Sequence, residues 1–192
     1  MKYSNITISG KICAGKTTVR KLLEKKLGWK TFSTGELFRQ YAKKNKIDLN
    51  AAEEQNEKIT KKIDRQVTRM LKTQKHLIVD SWLAGVTAKG TPGVLKVLLT
   101  CQNHIRYKRF AKRENISCQE AKEHVEERFT NWSEKIKKIY HRADFYKHSN
   151  FDLIIDTSYI TPQTTLHKII NSLINPGDQI VTSEVTKLVA TI

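Results

Sequence analysis

The octapeptide Gly10-Lys11-Ile12-Cys13-Ala14-Gly15-Lys16-Thr17 fits G-x-x-x-x-G-K-[ST] without a mismatch. It lies between an apolar stretch, NITIS at 5–9, and a run of helix formers that stops at Gly28. A short buried strand, a glycine-rich turn and a helix from about Gly15 to Leu27 are therefore predicted in that order. Glycines let such a turn aim successive backbone N–H groups inward, and the helix behind it adds unpaired donors and the positive end of its dipole. The arrangement suits the polyphosphate of a nucleoside triphosphate. Lys16 can reach its β- and γ-phosphates, Thr17 offers a hydroxyl to phosphate-bound Mg²⁺, and Thr18 can donate to the α-phosphate. Lys11, Ile12, Cys13 and Ala14 fill the free positions between the glycines, and Cys13 reads as a small filler rather than a nucleophile.

Four more apolar runs read as strands: WKTFS at 29–33, HLIVD at 76–80, VLKVLLT at 94–100 and FDLIID at 151–156. Helical patterns occupy about 35–45, 51–74, 103–114 and 117–140, and a last helix runs from Thr161 (N-cap) and Pro162 (N1) to near Ile174. A loop holding Gly85, Gly90, Pro92 and Gly93 leads into the 94–100 run. Strands alternating with helices predict a parallel sheet covered on both faces. The segment NAAEEQNEKITKKIDRQVTRMLK alternates charge along a helix and reads as a solvated face.

At 192 residues and 39% hydrophobic content, one compact domain over 1–174 is expected. The remainder, 175–192, carries one Lys, one Asp and one Glu and is expected to be an extension of unassigned role. No apolar run approaches the roughly 20 residues that span a bilayer, and no secretory leader pattern is present, so a cytoplasmic chain without membrane partners is expected. Cys13, Cys101 and Cys118 are odd in number and never spaced C-x-x-C, which argues against a disulfide framework or a zinc site, and the six histidines lack metal-ligand spacing. The net charge of +16 attracts polyanions without naming them. Guanine-reading N-K-x-D is absent; KNKID at 44–48 comes too early in the chain to serve.

The stretch FSTGELFRQYAKK at 32–44 discriminates further, because Ser33 and Thr34 can cap a helix that carries Arg39 toward the sheet's carboxyl edge. Here the chain resembles the nucleoside monophosphate kinases, specifically the short archaeal-type cytidylate kinases. Their S-x-G-[DE]-[IL]-F-R is matched by Ser33, Gly35, Glu36, Leu37, Phe38 and Arg39. The resemblance continues through IVDSWLAG (78–85), RYKRFAKRENISCQEA (106–121), EERF (126–129), KKIY (137–140) and FDLIIDTSYITP (151–162). It implies a three-layer P-loop NTPase fold with a five-stranded parallel sheet, helices on both faces and a helical lid over about 103–140.

It also implies transfer of the γ-phosphate of ATP to CMP or dCMP with Mg²⁺. Arg39 would grip the acceptor's phosphate beside Ser33, Gly35 and Phe38. Asp80 would orient Mg²⁺ through water, with Thr17, or hold the acceptor. From the lid, Arg109 would pack on the ATP base, Arg113 would contact phosphates and Arg128 would stabilise the moving phosphoryl group. A monomer without a stable nucleic-acid partner is expected. Three positions depart from the family's pattern: Trp82 and Lys135 stand at or near arginine positions, and Phe129 where an acidic residue is common. Lysine keeps charge but not bidentate geometry; tryptophan can stack on a base but cannot pair with a phosphate. Trp29 and Trp132 are expected to pack. Two alternatives stay open: another nucleoside monophosphate as acceptor, and an RNA-associated P-loop ATPase switch related to adenylate kinases.

Overall fold

The computed structural model describes residues 2–46 and 57–175. Five strands, β1 (Asn5–Ser9), β2 (Lys30–Ser33), β3 (Leu77–Asp80), β4 (Val94–Thr100) and β5 (Leu153–Asp156), form one sheet in the order β2-β3-β1-β4-β5. Every pairing is parallel. β1 lies at the centre with all five residues buried, and Ile6 sits opposite Ile78 on one side and Leu95 on the other. The helices are α1 (Lys16–Leu27), α2 (Thr34–Asn45), α3 (Glu57–Thr73), α4 (Ala84–Thr87), α5 (Asn103–Glu114), α6 (Cys118–Tyr140) and α7 (Pro162–Ile174). No described helix is long and apolar enough to cross a membrane.

The period-2 alternation of the strands assigns them to two cores. Ile6, Ile8, Ile78, Val97, Leu99 and Ile155 pack with Leu23 of α1 and Ile169 and Leu173 of α7. Leu77, Val79 and Val94 face the other way, onto Val67 and Leu71 of α3 and Ala84 of α4. The three-layer α/β architecture expected from the sequence is thus present. Thr161 caps α7 as expected, accepting from the Thr164 N–H at 3.1 Å, with Pro162 at the first helical position.

Four details differ from the expectation. First, α3 is more than a solvated charged face: Thr60, Ile63, Val67 and Leu71 are buried along one stripe. The residues of that predicted helix before Glu57, like those after Asn175, lie outside the described residues. Second, α4 occupies part of what reads as a glycine loop. Gly85 serves packing, since a Cβ there would fall 2.3 Å from the Phe151 ring, and its N–H donates to Ser9 Oγ at 2.9 Å. Third, Phe151 and Asp152 precede β5 instead of opening it. Fourth, Gly15 is the N-cap of α1 rather than its first residue.

Because all strands are parallel, Ser9, Ser33, Asp80, Thr100 and Asp156 end at one edge of the sheet, where open α/β sheets bind ligands. α5 and α6, joined by three residues, pack over that edge through Phe110, Ala111, Ala121, Val125 and Ile12 of the glycine-rich turn. Ser117 and Glu120 form a reciprocal capping box that starts α6.

Candidate active site

The loop after β1 holds its shape through three left-handed residues, Gly10 (φ +148°), Cys13 (+59°) and Gly15 (+93°). At Gly10 the requirement is also steric: a Cβ would sit 2.4 Å from the Leu99 carbonyl oxygen of β4. Five successive carbonyls of the loop accept hydrogen bonds. Lys16 Nζ donates to Gly10 O (2.7 Å) and Lys11 O (3.0 Å). Arg106 Nε donates to Ile12 O (2.9 Å), Arg109 Nη1 to Cys13 O (3.3 Å) and Thr157 Oγ1 to Ala14 O (3.1 Å). A loop braced through its oxygens presents its N–H groups to a ligand, which is the chemistry of an anion-binding nest. Burial pushes the Cys13 thiol above its usual range, keeping it protonated and in line with a filler role.

At the end of the neighbouring strands, Ser33 is the N-cap of α2, accepting from the Glu36 N–H at 3.2 Å. Its hydroxyl donates to Asp80 Oδ1 at 2.8 Å, a pairing fixed by the register that sets Ser33 opposite Asp80. The other Asp80 oxygen accepts from Arg20 Nε at 3.2 Å. Arg20 and Asp80 are both buried, and the same guanidinium bonds Thr31 Oγ1 (2.8 Å) and pairs with Glu36. Both Asp80 oxygens are therefore engaged by side chains.

A cavity of about 1150 Å³ opens along this edge. At one end it is lined by Ile12, Cys13, Gly15, Lys16, Thr17 and Thr18 with Arg109 and Arg113 of α5. At the other it is lined by Ser33, Gly35, Phe38 and Arg39 around α2, by Asp80 and Trp82, and by Arg128 and Lys135 of α6. The fold thus brings fourteen of the expected site residues together on one cavity: Ile12, Cys13, Gly15, Lys16, Thr17, Thr18, Ser33, Gly35, Phe38, Arg39, Asp80, Arg109, Arg113 and Arg128. Gly10, Lys11 and Ala14 do not line it. Ala14 is core, and the Lys11 ammonium lies 4.2 Å from the centre of the Phe129 ring, its pKa lowered by burial and by the nearby Arg106 charge.

The arginines of α5 and α6 differ in setting. Arg109 reaches both the loop and the end of β5, with Nη2 donating to Thr157 O at 2.6 Å. Arg113 is exposed, pairs with Glu114 at 2.7 Å and lies over Phe110. The Arg128 guanidinium carbon is 6.0 Å from the Trp82 ring centre. Two further arginines, Arg20 and Arg106, are buried and stand outside the expected site residues. The available signal was a charged residue inside an apolar helical stripe, beside Val19 in α1 and four residues before Phe110 in α5.

Trp82 and Phe129 belong to one aromatic cluster. Trp82 meets Trp132 edge-on at 4.5 Å and Phe129 at 6.3 Å, and Trp132 continues the cluster to Phe145 at 5.5 Å. An aromatic wall thus stands beside the cavity, and such contacts favour edge-to-face and offset geometries of this kind. Trp29 packs against His76, as expected of a core aromatic.

The cytidylate kinase-like family matches residues 5–159 of the chain. A cytidylate kinase of Sulfurisphaera tokodaii is 37% identical over 173 residues, covering 88% of this chain and 94% of the relative. One of Sulfolobus acidocaldarius is 35% identical, covering 82% and 87%, and one of Methanosarcina acetivorans is 34% identical, covering 89% and 98%. Among solved structures, an uncharacterized protein from Eubacterium ventriosum aligns with a TM-score of 0.68 at 14% identity, over 90% of this chain and 99% of the other. The shikimate kinase from Acinetobacter baumannii aligns with a TM-score of 0.55 at 15% identity, over 91% and 95%. At such identities the structural likeness speaks for the fold.

Proposed function

The chain belongs to the cytidylate kinase-like family, and from that premise we propose that it moves the γ-phosphate of ATP to CMP or dCMP, releasing ADP and CDP or dCDP. The observation that carries this reading is the single cavity with the phosphate loop at one end and Ser33, Phe38 and Arg39 at the other, spanned by the lid arginines. Two anionic substrates meeting in line need positive charge around the moving group and no protein nucleophile, since the acceptor's own phosphate attacks.

ATP binds with its phosphates against the loop amides and the start of α1. Lys16 exchanges the Gly10 and Lys11 carbonyls it now holds for β- and γ-phosphate oxygens, trading neutral acceptors for charged ones. Arg39 takes the acceptor's phosphate at the first turns of α2, where the helix N-terminus also favours an anion. Arg128 and Arg113 supply charge to the transferring group, and Arg113 must leave Glu114 to do so. Arg109 borders the donor base. Thr17, lining the cavity at the first turn of α1, would offer one hydroxyl oxygen to Mg²⁺, a donor set that fits an ion usually bound by few protein oxygens. The ion's role when bound is to neutralise charge on the β- and γ-phosphates. Asp80, whose two oxygens are held by Arg20 and Ser33, would act on the ion through water.

In this reading residues 1–174 form one kinase domain, α5 and α6 are its lid, and 175–192 are an extension without an assigned role. The protein works as a cytoplasmic monomer, and its positive charge gathers nucleotides rather than holding RNA. The test is ADP release measured over the common nucleoside monophosphates and their deoxy forms. CMP or dCMP should give the highest kcat/KM; ADP release that no acceptor stimulates would instead mark an ATPase switch.

A further inference from the structure

On the acceptor side of the cavity, α3 contributes two polar groups that the phosphate chemistry leaves unused. Thr60 is more than nine-tenths buried, and its Oγ1 has no hydrogen-bond partner among the described residues. One turn further on, Asp64 lines the same cavity, and its Oδ2 accepts from the Tyr140 hydroxyl of α6 at 2.5 Å. The walls beside them, Ile63 of α3, Leu83 and Ile136 of α6, are buried and apolar.

A carboxylate repels a phosphate, and apolar walls offer nothing to a ribose. What fits is the flat body of a base with a hydrogen-bonding edge. Residues four apart on a helix lie side by side at about 5–6 Å between Cβ atoms, a spacing suited to two positions along one base edge. We propose that Thr60 and Asp64 read the base of the acceptor nucleotide, Asp64 accepting from the 4-amino group of cytosine and Thr60 donating to the neighbouring N3 or O2. The assignment rests on the reading of this cavity as a cytidine-nucleotide acceptor site.

Uracil presents a carbonyl where cytosine has its amino group, so an acceptor would face the Asp64 carboxylate. Sites that must leave a buried polar group unpaired reject the analogue far more strongly than sites that merely lose area. Tyr140 positions the carboxylate by holding one oxygen, leaving the other for the base. Burial pushes the Asp64 carboxyl above its ordinary pKa, while the Tyr140 hydroxyl and then the Lys135 charge act to keep it ionised. An acceptor of amino hydrogens needs the ionised form.

The test compares kcat and KM for CMP and UMP in the full-length wild type, Asp64→Asn and Thr60→Val, with thermal melting of each. Asparagine keeps an oxygen for Tyr140 and can turn an N–H toward the uracil carbonyl. Asp64→Asn should raise KM for CMP about 10-fold and move the CMP:UMP ratio of kcat/KM about 100-fold toward UMP. Thr60→Val should raise KM for CMP about 10-fold while melting at or above the wild-type temperature, because a buried unpartnered hydroxyl has been removed. A merely structural threonine would give the opposite pair of results. Wild type that ignores CMP would defeat the functional reading itself. Wild type that uses CMP, together with a CMP:UMP ratio unchanged in Asp64→Asn and a KM unchanged in Thr60→Val, would overturn only this inference.

Discussion

Replacing Arg20 by methionine should separate the packing of this protein from its electrostatics. Met keeps much of the aliphatic stem of Arg20 but leaves Asp80 buried, facing a neutral thioether. Removing one partner of a buried ion pair costs about 3–5 kcal/mol, because the other charge remains desolvated. Ser33 Oγ still donates to Asp80 at 2.8 Å, so the lower end applies, about 3 kcal/mol. For a chain of this size that corresponds to a fall in Tm of roughly 6–12 °C. The Glu36 contact contributes less, since that side chain is 39% exposed and such pairs are worth about 1 kcal/mol or less. Urea titration at constant m-value measures the loss, and Glu36→Gln should cost under about 1 kcal/mol in the same assay. Adding Asp80→Asn to Arg20→Met should recover about 2 kcal/mol, as the amide no longer needs a counter-charge, and a double-mutant cycle would show that coupling. A cost below about 1 kcal/mol for Arg20→Met, or additivity with Asp80→Asn, would refute the account of Asp80 as a residue held in place by Arg20.

Lys16→Ala should lower kcat by at least about 100-fold while unfolding stays cooperative, because it removes charge at the phosphates without opening the core; near-wild-type turnover would remove the loop from the reaction. Arg39→Ala should raise KM for the acceptor about 10–100-fold and change ATP affinity little, as titration of each nucleotide alone would show, and the reverse pattern would mean the two ends of the cavity are exchanged. Residues 103–140 should gain hydrogen-exchange protection with a two-substrate analogue, since the lid's cations repel one another until phosphates neutralise them. Equal protection with and without the analogue would contradict a closing lid.

The features legible in the sequence are those whose cause is local. The glycine-rich loop, Ser33 as N-cap of α2 and Thr161–Pro162 at the start of α7 are each decided by chemistry within a few residues. The cause of Gly85 is tertiary, a phenyl ring from a segment far along the chain, so its pattern read as a loop. Asp80 looked available to a ligand because its partner Arg20 lies 60 residues earlier, and Arg106 meets Ile12 across 94 residues. The charge alternation of α3 concealed Thr60 and Asp64, whose neighbours on α6 come from a distant part of the chain. Trp82 and Phe129 stand far apart in the sequence, and only the folded structure places them in one aromatic cluster.

Incubating the protein with ATP labelled in its γ-phosphate, Mg²⁺ and CMP, and resolving the products, decides whether phosphate passes to a cytidine nucleotide or to water. Label should appear in CDP, in step with ADP, and be lost in Lys16→Ala. Label released as inorganic phosphate at the same rate with and without CMP would rule out transfer to CMP.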